Sequence, residues 1–223
     1  MITTEKNLHE MYLASNLDFA MLTVLEKNNR GVSKPNIGSA LYSQLGMFPN
    51  TEDMDQQAIS LQYRKLIEED NSIRYVFDSN VGSGVSPSRD KNFIISPYGM
   101  DYLKKVRFVK SGNTFSGEDS EMATIKRELF RRNAGEIVLR ALQDSPIADV
   151  HGLADIKHNA YSYGTFVFAS ASSALDKHVN NRLVDKATDD GGAVYSINQA
   201  GVSMLKLLAD TRMHIDRRLG LTQ

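Results

Sequence analysis

The spacing of hydrophobic positions predicts three helices near the start of the chain. Apolar residues recur every three or four positions within the segments 17–25, 37–45 and 59–67, which is the period of an α-helix. Gly46 marks the end of the second helix, and Asn50 provides an N-cap for the third. The third helix is expected to bury one apolar stripe, formed by Ile59, Tyr63, Leu66 and Ile67.

The hydrophobic period then changes from about 3.6 to 2, which indicates strands. Residues 73–77 predict one strand and residues 92–95 its return partner. The glycine- and serine-rich segment 81–89 is predicted to be a flexible loop between them. Ser96 and Pro97 then supply an N-cap and a first-turn proline, so we expect a packing helix to follow.

The second half of the chain repeats this order of elements. The Asp-Asp-Gly-Gly sequence at 189–192 predicts a tight turn between two strands. The aromatic segment 161–168 is either an extended connection or the entry to a helix, and we expect it to be core rather than a base-stacking platform. The predicted elements are helices over 122–143, 148–156 and 170–181, strands over 183–187 and 193–197, and a final helix that begins at Asn198 and runs past Leu208.

These two runs predict two domains, over residues 1–110 and 122–223. Small and polar residues over 111–121 predict a linker between them. The predicted fold class is mainly α with small β-hairpins, that is α+β. A hydrophobic content of 41 % and a charged content of 24 % in 223 residues are typical of globular proteins that bury a core.

The composition excludes several classes of function. The absence of cysteine excludes disulfides, thiol nucleophiles, iron–sulfur clusters and cysteine zinc sites. The first residues lack the basic start and apolar run of a secretory signal, and no apolar run approaches the roughly 18 residues of a membrane span. We therefore expect a cytoplasmic protein with no membrane partner.

Enzyme motifs are also missing. Gly82-Ser83-Gly84 lacks the Gly-Lys-Ser/Thr of a phosphate-binding loop, and no serine lies in a nucleophile-elbow pattern. The histidines show no convincing metal spacing, so surface or packing roles are expected for them. They are His9, His151, His158, His178 and His214. We expect no catalytic residue, no metal and no cofactor.

Both halves end in a similar segment. Residues 95–104, Ile-Ser-Pro-Tyr-Gly-Met-Asp-Tyr-Leu-Lys, parallel residues 197–206, Ile-Asn-Gln-Ala-Gly-Val-Ser-Met-Leu-Lys. In each, a strand ends at a polar cap, with a glycine and a Leu-Lys pair at matching steps. This segment resembles the wing and closing helix of winged-helix transcription factors. The resemblance implies two winged helix-turn-helix domains in tandem and, since such regulators are frequently dimers, a homodimer as one assembly.

In that superfamily the third helix usually enters the major groove, and the hairpin wing reaches the DNA backbone or minor groove. The resemblance therefore implies a set of polar and cationic contacts to double-stranded DNA. Arginine, asparagine and glutamine suit base edges, whereas lysine and serine favour phosphate. The implied residues are Gln57, Ser60, Arg64 and Lys65 on the first helix, Ser173, Lys177 and Asn181 on the second, and Arg89 and Lys91 on the first wing. Arg64 and Lys65 could instead pair with Glu68 and Glu69.

The charge balance only partly suits DNA. The formal net charge is −1, whereas DNA binding rewards concentrated positive charge. Asp189 and Asp190 at the second wing would repel phosphate, which argues against both units contacting DNA in the same way. Cations do cluster locally, at Lys104, Lys105, Arg107 and Lys110, and at Lys126, Arg127, Arg131 and Arg132.

The sequence thus favours a sequence-specific DNA-binding regulator of transcription. One alternative is a replication initiator of plasmid or phage type, because those also use two winged-helix units. Another is a winged-helix protein-interaction module that docks on transcription or replication machinery without binding DNA. A heptad-like stripe on the last helix packs either on its own domain or on a second subunit. It consists of Leu205, Leu208, Ile215 and Leu219.

Overall fold

The described part of the chain is mainly helical, with small antiparallel sheets, which confirms the predicted α+β class. The computed structural model describes residues 5–28, 31–70, 75–77, 85–87, 91–113, 120–144, 146–147, 152, 167–189 and 192–222. In chain order its elements are α1 (Glu5–Ser15), α2 (Leu17–Glu26), β1 (Val32–Ser33), α3 (Lys34–Leu45), α4 (Thr51–Tyr63), β2 (Ile67–Asp70), β3 (Tyr75–Phe77), β4 (Val85–Pro87), β5 (Asn92–Ile95), α5 (Pro97–Lys110), α6 (Ser120–Asp144), α7 (Phe168–Asn180), β6 (Val184–Asp189), β7 (Gly192–Ile197) and α8 (Gln199–Leu219).

Internal contacts divide the chain into two compact units. The first unit is Asn16–Lys104, and the second combines Met1–Ser15 with Lys105–Gln223. The opening residues belong to the second unit because α1 packs against α8. The units therefore have other bounds than the predicted domains, 1–110 and 122–223. Most of the predicted linker lies outside the described residues.

Helix α2 forms the centre of the first unit's core. Every residue from Leu17 to Leu25 is buried, and α3 and α4 both pack on this helix. Gly46 ends α3 in the left-handed conformation, as its position predicts. The Asn50 side chain accepts a hydrogen bond of 2.9 Å from the Glu52 backbone N–H, so it caps α4 as expected.

The predicted buried stripe of α4 is wrong for Ile59 and Tyr63, whereas Leu66 and Ile67 are buried as expected but lie beyond the end of the helix. Ile59 and Tyr63 are 67 % and 89 % exposed, whereas Met54, Ala58 and Leu61 face the core. The buried residues repeat at helical spacing, as the exposed ones do, and the hydrophobic core covers only one of these two faces. Two apolar side chains thus remain on the solvent-facing side of this helix.

The first unit contains an antiparallel sheet with the strand order β1–β5–β2. Ile67 of β2 lies opposite Ile95 of β5, so the predicted pairing of residues 92–95 with 73–77 is wrong. Within 73–77, Tyr75–Phe77 pairs with Val85–Pro87, which the sequence predicted as part of a loop. The apolar pair at 66–67 continued the helical pattern of α4, although it actually leads into β2. A short apolar run has no period that separates helix from strand.

Helix α6 forms the core of the second unit and packs against α7 and α8. Its predicted apolar positions are buried, from Ile125 to Leu142. Strands β6 and β7 pair as predicted, with Asp189 opposite Gly192. An isolated bridge joins Ile147 to Tyr195 of β7, so a third segment lies beside this hairpin.

The last helix packs on its own unit. Leu205, Ile215 and Leu219 are buried, and α8 contacts α1 and α6. The predicted stripe therefore needs no second subunit to cover these three residues, while a homodimer stays an untested prediction. Apart from Gly152, the helix predicted over 148–156 lies outside the described residues.

Candidate nucleic-acid interface

The first unit joins α4 to its sheet through a distinctive turn. The Lys65 N–H donates to the Gln62 carbonyl at 2.9 Å, and the Leu66 N–H donates to the carbonyl five residues before it, also at 2.9 Å. This is the Schellman pattern of helix ends. The Ser96 hydroxyl donates to the Lys65 carbonyl at 2.6 Å and accepts from the Gly99 N–H at 2.9 Å. Ser96 thus caps α5 and ties it to the end of α4.

The second unit repeats this turn at the end of α7. The Arg182 N–H donates to the Val179 carbonyl at 2.9 Å, and the Leu183 N–H donates five residues back at 2.9 Å. The Asn198 side-chain amide donates to the Arg182 carbonyl at 3.1 Å, and its oxygen accepts from the Gly201 N–H at 3.0 Å. The sequence repeat at 95–104 and 197–206 therefore corresponds to a repeat of structure.

The predicted contacts on the two helices differ in exposure. Gln57 and Ser60 on α4 are partly buried, whereas Lys65 is exposed. The three predicted residues of the second helix are all exposed, at Ser173, Lys177 and Asn181. Two of them, Ser173 and Lys177, also line a shallow depression on α7, whose other described lining residues are Phe168, Ala169, Ser172, Asp176 and Asn180.

Arg64 lies against its own unit. Its guanidinium is 3.7 Å from the Asp18 carboxylate, which is 2 % exposed, and 4.9 Å from the centre of the Tyr102 ring. Because α4 ends at Tyr63, the predicted intrahelical alternative with Glu68 has no helix to support it. Arg64 therefore has an internal packing role, whatever it contacts outside the chain.

Of the two cations predicted for the first wing, the structure describes Lys91. Its ammonium lies 3.1 Å from the Glu69 carboxylate across the β2–β5 pair, and its side chain is 67 % exposed. This ion pair contributes little stability, because it is exposed and the solvent screens its charges. Arg89 and Asp190 lie outside the described residues, while Asp189 ends β6.

Several predicted basic residues are bound within the second unit. Lys105 pairs with Glu121, and Arg132 pairs with Glu128. The Arg107 side chain donates to the Gly220 carbonyl at 2.8 Å. The two clusters therefore offer less positive charge to a partner than the sequence suggests.

Lys110 is buried rather than presented to solvent. Its ammonium donates to both Asp216 oxygens, at 2.7 and 2.9 Å, and to the Tyr12 hydroxyl at 3.1 Å. The Tyr12 hydroxyl in turn donates to Asp216 at 3.0 Å. Burial lowers the pKa of Lys110, and the Asp216 carboxylate partly opposes that shift. This network joins α1, α5 and α8.

His178 is a core residue of the second unit. Its Nε2 lies 2.9 Å from the Gly135 carbonyl, so that nitrogen carries a proton and donates. Burial lowers the pKa of His178 below its usual value, because a charged ring would lose its hydration. Within the residues that the structure describes, no group of three acidic, histidine or cysteine side chains could hold a metal ion.

Arg182 is a candidate that the sequence analysis missed. It is exposed and occupies in the second unit the position that Lys65 occupies in the first. Aligning Leu66 with Leu183 in the sequence would have found it. The exposed faces of α4 and α7 differ, because α4 presents Ile59 and Tyr63 at the positions where α7 presents Asp176 and Asn180.

Comparison of the chain with protein-family models, curated proteins and solved structures finds no match. Among the described residues, no helix combines the length and the apolar composition needed to cross a bilayer.

Proposed function

We propose that the protein is a sequence-specific, double-stranded DNA-binding regulator of transcription, built from two winged-helix units. The observation that carries this proposal is the repeated junction of helix, hairpin and capped closing helix. The strand order β1–β5–β2 in the first unit has a counterpart in the second, where Ile147 pairs with β7 and β7 with β6. In both units the first of these segments precedes the helix that leads into the hairpin strands, α4 or α7, which is the element order expected of a winged helix.

The surface chemistry of α7 supports DNA as the ligand. Ser173 and Lys177 lie exposed on α7, and the exposed Asn181 is the C-cap of this helix, shortly before β6 begins. Lysine and serine suit phosphate, and asparagine can make two hydrogen bonds to adenine. In the proposed complex α7 enters the major groove and Asn181 contributes to base recognition.

A salt-dependent binding titration tests the proposal. Fluorescence anisotropy against random and genomic duplexes should show binding at low ionic strength that weakens as salt is added. Lys177→Ala should reduce the slope of log K against log salt by about 0.9, and Asn181→Ala should reduce the preference for genomic sites by about 1–3 kcal/mol. Arg217→Ala removes an exposed cation from α8 and serves as the control. Absence of salt-dependent binding would refute the proposal.

One observation favours a second function, docking on another protein. Ile59 and Tyr63 lie largely exposed on successive turns of α4, where DNA binding would call for polar or cationic side chains. In that case a partner should remain bound after nuclease treatment. Ile59→Ser with Tyr63→Ser should abolish that capture while leaving DNA binding by α7 unchanged. Capture that ends with nuclease digestion would exclude protein docking as the cause.

A further inference from the structure

Five residues in the described part of the chain have a left-handed backbone. Three are glycines at helix ends, where the missing Cβ removes the steric penalty of this conformation. The other two are Lys65 and Arg182, with φ of 59° and 58°. A lysine or an arginine is strained at such a position. Both exceptions lie at the ends of α4 and α7, shortly before β2 and β6 begin.

Glycine fills the same hydrogen-bonded turn elsewhere in this protein. The Gly112 N–H donates to the Val109 carbonyl at 3.0 Å at the end of α5. The Gly220 N–H donates to the Arg217 carbonyl at 3.0 Å at the end of α8. These bonds match the one that the Lys65 N–H makes. Glycine can therefore form this backbone turn as well as lysine does.

The side chains of the two cations are also dispensable for the junctions. Ser96 and Asn198 bind the backbone carbonyls of Lys65 and Arg182, which a glycine would present equally well. Both side chains are exposed, and neither forms an ion pair with a residue that the structure describes. Among the described residues, the two cationic side chains thus form no ion pair that would stabilise the fold.

We propose that Lys65 and Arg182 are an equivalent pair of phosphate-binding residues, one in each unit. Each would bind the DNA backbone at the point where the helix ends and the first strand of the wing begins. This inference rests on the proposed DNA binding and adds that both units contact phosphate, although their helix faces differ. Because a phosphate carries no sequence information, the pair would contribute to affinity and register but not to base choice.

Glycine substitutions separate this role from a structural one. Lys65→Gly and Arg182→Gly should leave the melting temperature unchanged or raise it, because each removes backbone strain. Each should also lower the slope of log K against log salt by about 0.9, and the double variant by about twice that. The ratio of affinities for genomic and random duplexes should stay constant. Lys65→Asn and Arg182→Asn provide second variants, since asparagine tolerates this conformation.

Gly112→Lys is the matched control, because it adds a cation to the same turn at the end of α5. It should lower the melting temperature and leave the salt slope unchanged. An equal rise in slope for this variant would show a general charge effect and overturn the inference. So would glycine variants that keep the wild-type slope, or that melt at lower temperature. A wild-type chain without salt-dependent binding would instead overturn the proposed function itself.

Discussion

A single methyl group added at Gly99 tests how α5 packs on the end of α4. A Cβ at this position would lie 2.0 Å from the Leu66 carbonyl oxygen and 2.9 Å from the Ile95 Cγ1 atom. Carbon and oxygen normally approach no closer than about 3.3 Å. Because the nearest atom belongs to the backbone, no side-chain rotation can relieve the overlap. Gly99→Ala therefore requires α5 or the junction to move by about 1 Å.

The cost follows from what this movement disrupts. Overpacking a buried site costs about 1–3 kcal/mol. The displaced Leu66 carbonyl also accepts the Ser96 N–H at 3.0 Å, a bond worth about 1 kcal/mol. We expect Gly99→Ala to lower the free energy of unfolding by about 3 kcal/mol.

Urea denaturation measures this loss, and Gly38→Ala is the control. Gly38 is also buried in a helix of the first unit, but a Cβ there would lie 3.6 Å from the Met54 sulfur, an ordinary contact. Alanine favours the helix by up to about 1 kcal/mol over glycine, so the control should be neutral or more stable. Hydrogen exchange should locate the Gly99→Ala effect in the first unit.

The second unit provides a replicate. A Cβ on Gly201 would lie 2.2 Å from the Leu183 carbonyl oxygen, so Gly201→Ala should destabilise the second unit by a similar amount. If Gly99→Ala proves as stable as Gly38→Ala, the close approach of α5 to the junction is wrong. If only one of the two units is destabilised, the junctions are not equivalent.

Three further predictions concern buried and partly buried charges. Asp216→Asn leaves the Lys110 ammonium uncompensated and should cost about 3–5 kcal/mol in urea titrations, while adding Lys110→Met should recover part of that loss. Because burial lowers the pKa of His178, this histidine takes up a proton more readily in the unfolded chain than in the folded one. The melting temperature should therefore be constant above about pH 6.5 and should fall as the pH drops below that value. Arg64→Ala should cost about 1 kcal/mol in thermal unfolding, whereas Lys177→Ala should cost nothing measurable.

Each of these has a result that would contradict it. An Asp216→Asn variant as stable as wild type would mean that the ammonium is not buried in solution. His178→Asn should flatten the decline in melting temperature on acidification, and an unchanged decline would assign it to another group. An Arg64→Ala variant that loses DNA affinity but no stability would make that arginine a surface contact rather than a packing residue.

The sequence alone determined most of the helices and their caps. Helical period and cap chemistry are local, since they depend on residues within one or two turns of each other. The caps at Asn50, Ser96 and Asn198 follow from that locality, and so do the buried faces of α2, α3 and α6. The parallel between 95–104 and 197–206 was also visible, and both segments adopt the same capped geometry.

Only the tertiary structure decided which faces are covered and which strands pair. A periodic pattern groups Ile59 with Tyr63, but the core of the first unit covers the opposite face of α4. Strand pairing depends on contacts distant in sequence, so β5 could pair with β2 rather than with the nearer Tyr75–Phe77. Charge pairing is equally non-local: Lys110 was predicted in a basic cluster, yet folding places it against Asp216, more than a hundred residues away. Neighbouring residues determine whether a segment forms a helix. Whether a charge or an apolar face is buried depends on which distant segments of the chain pack against it.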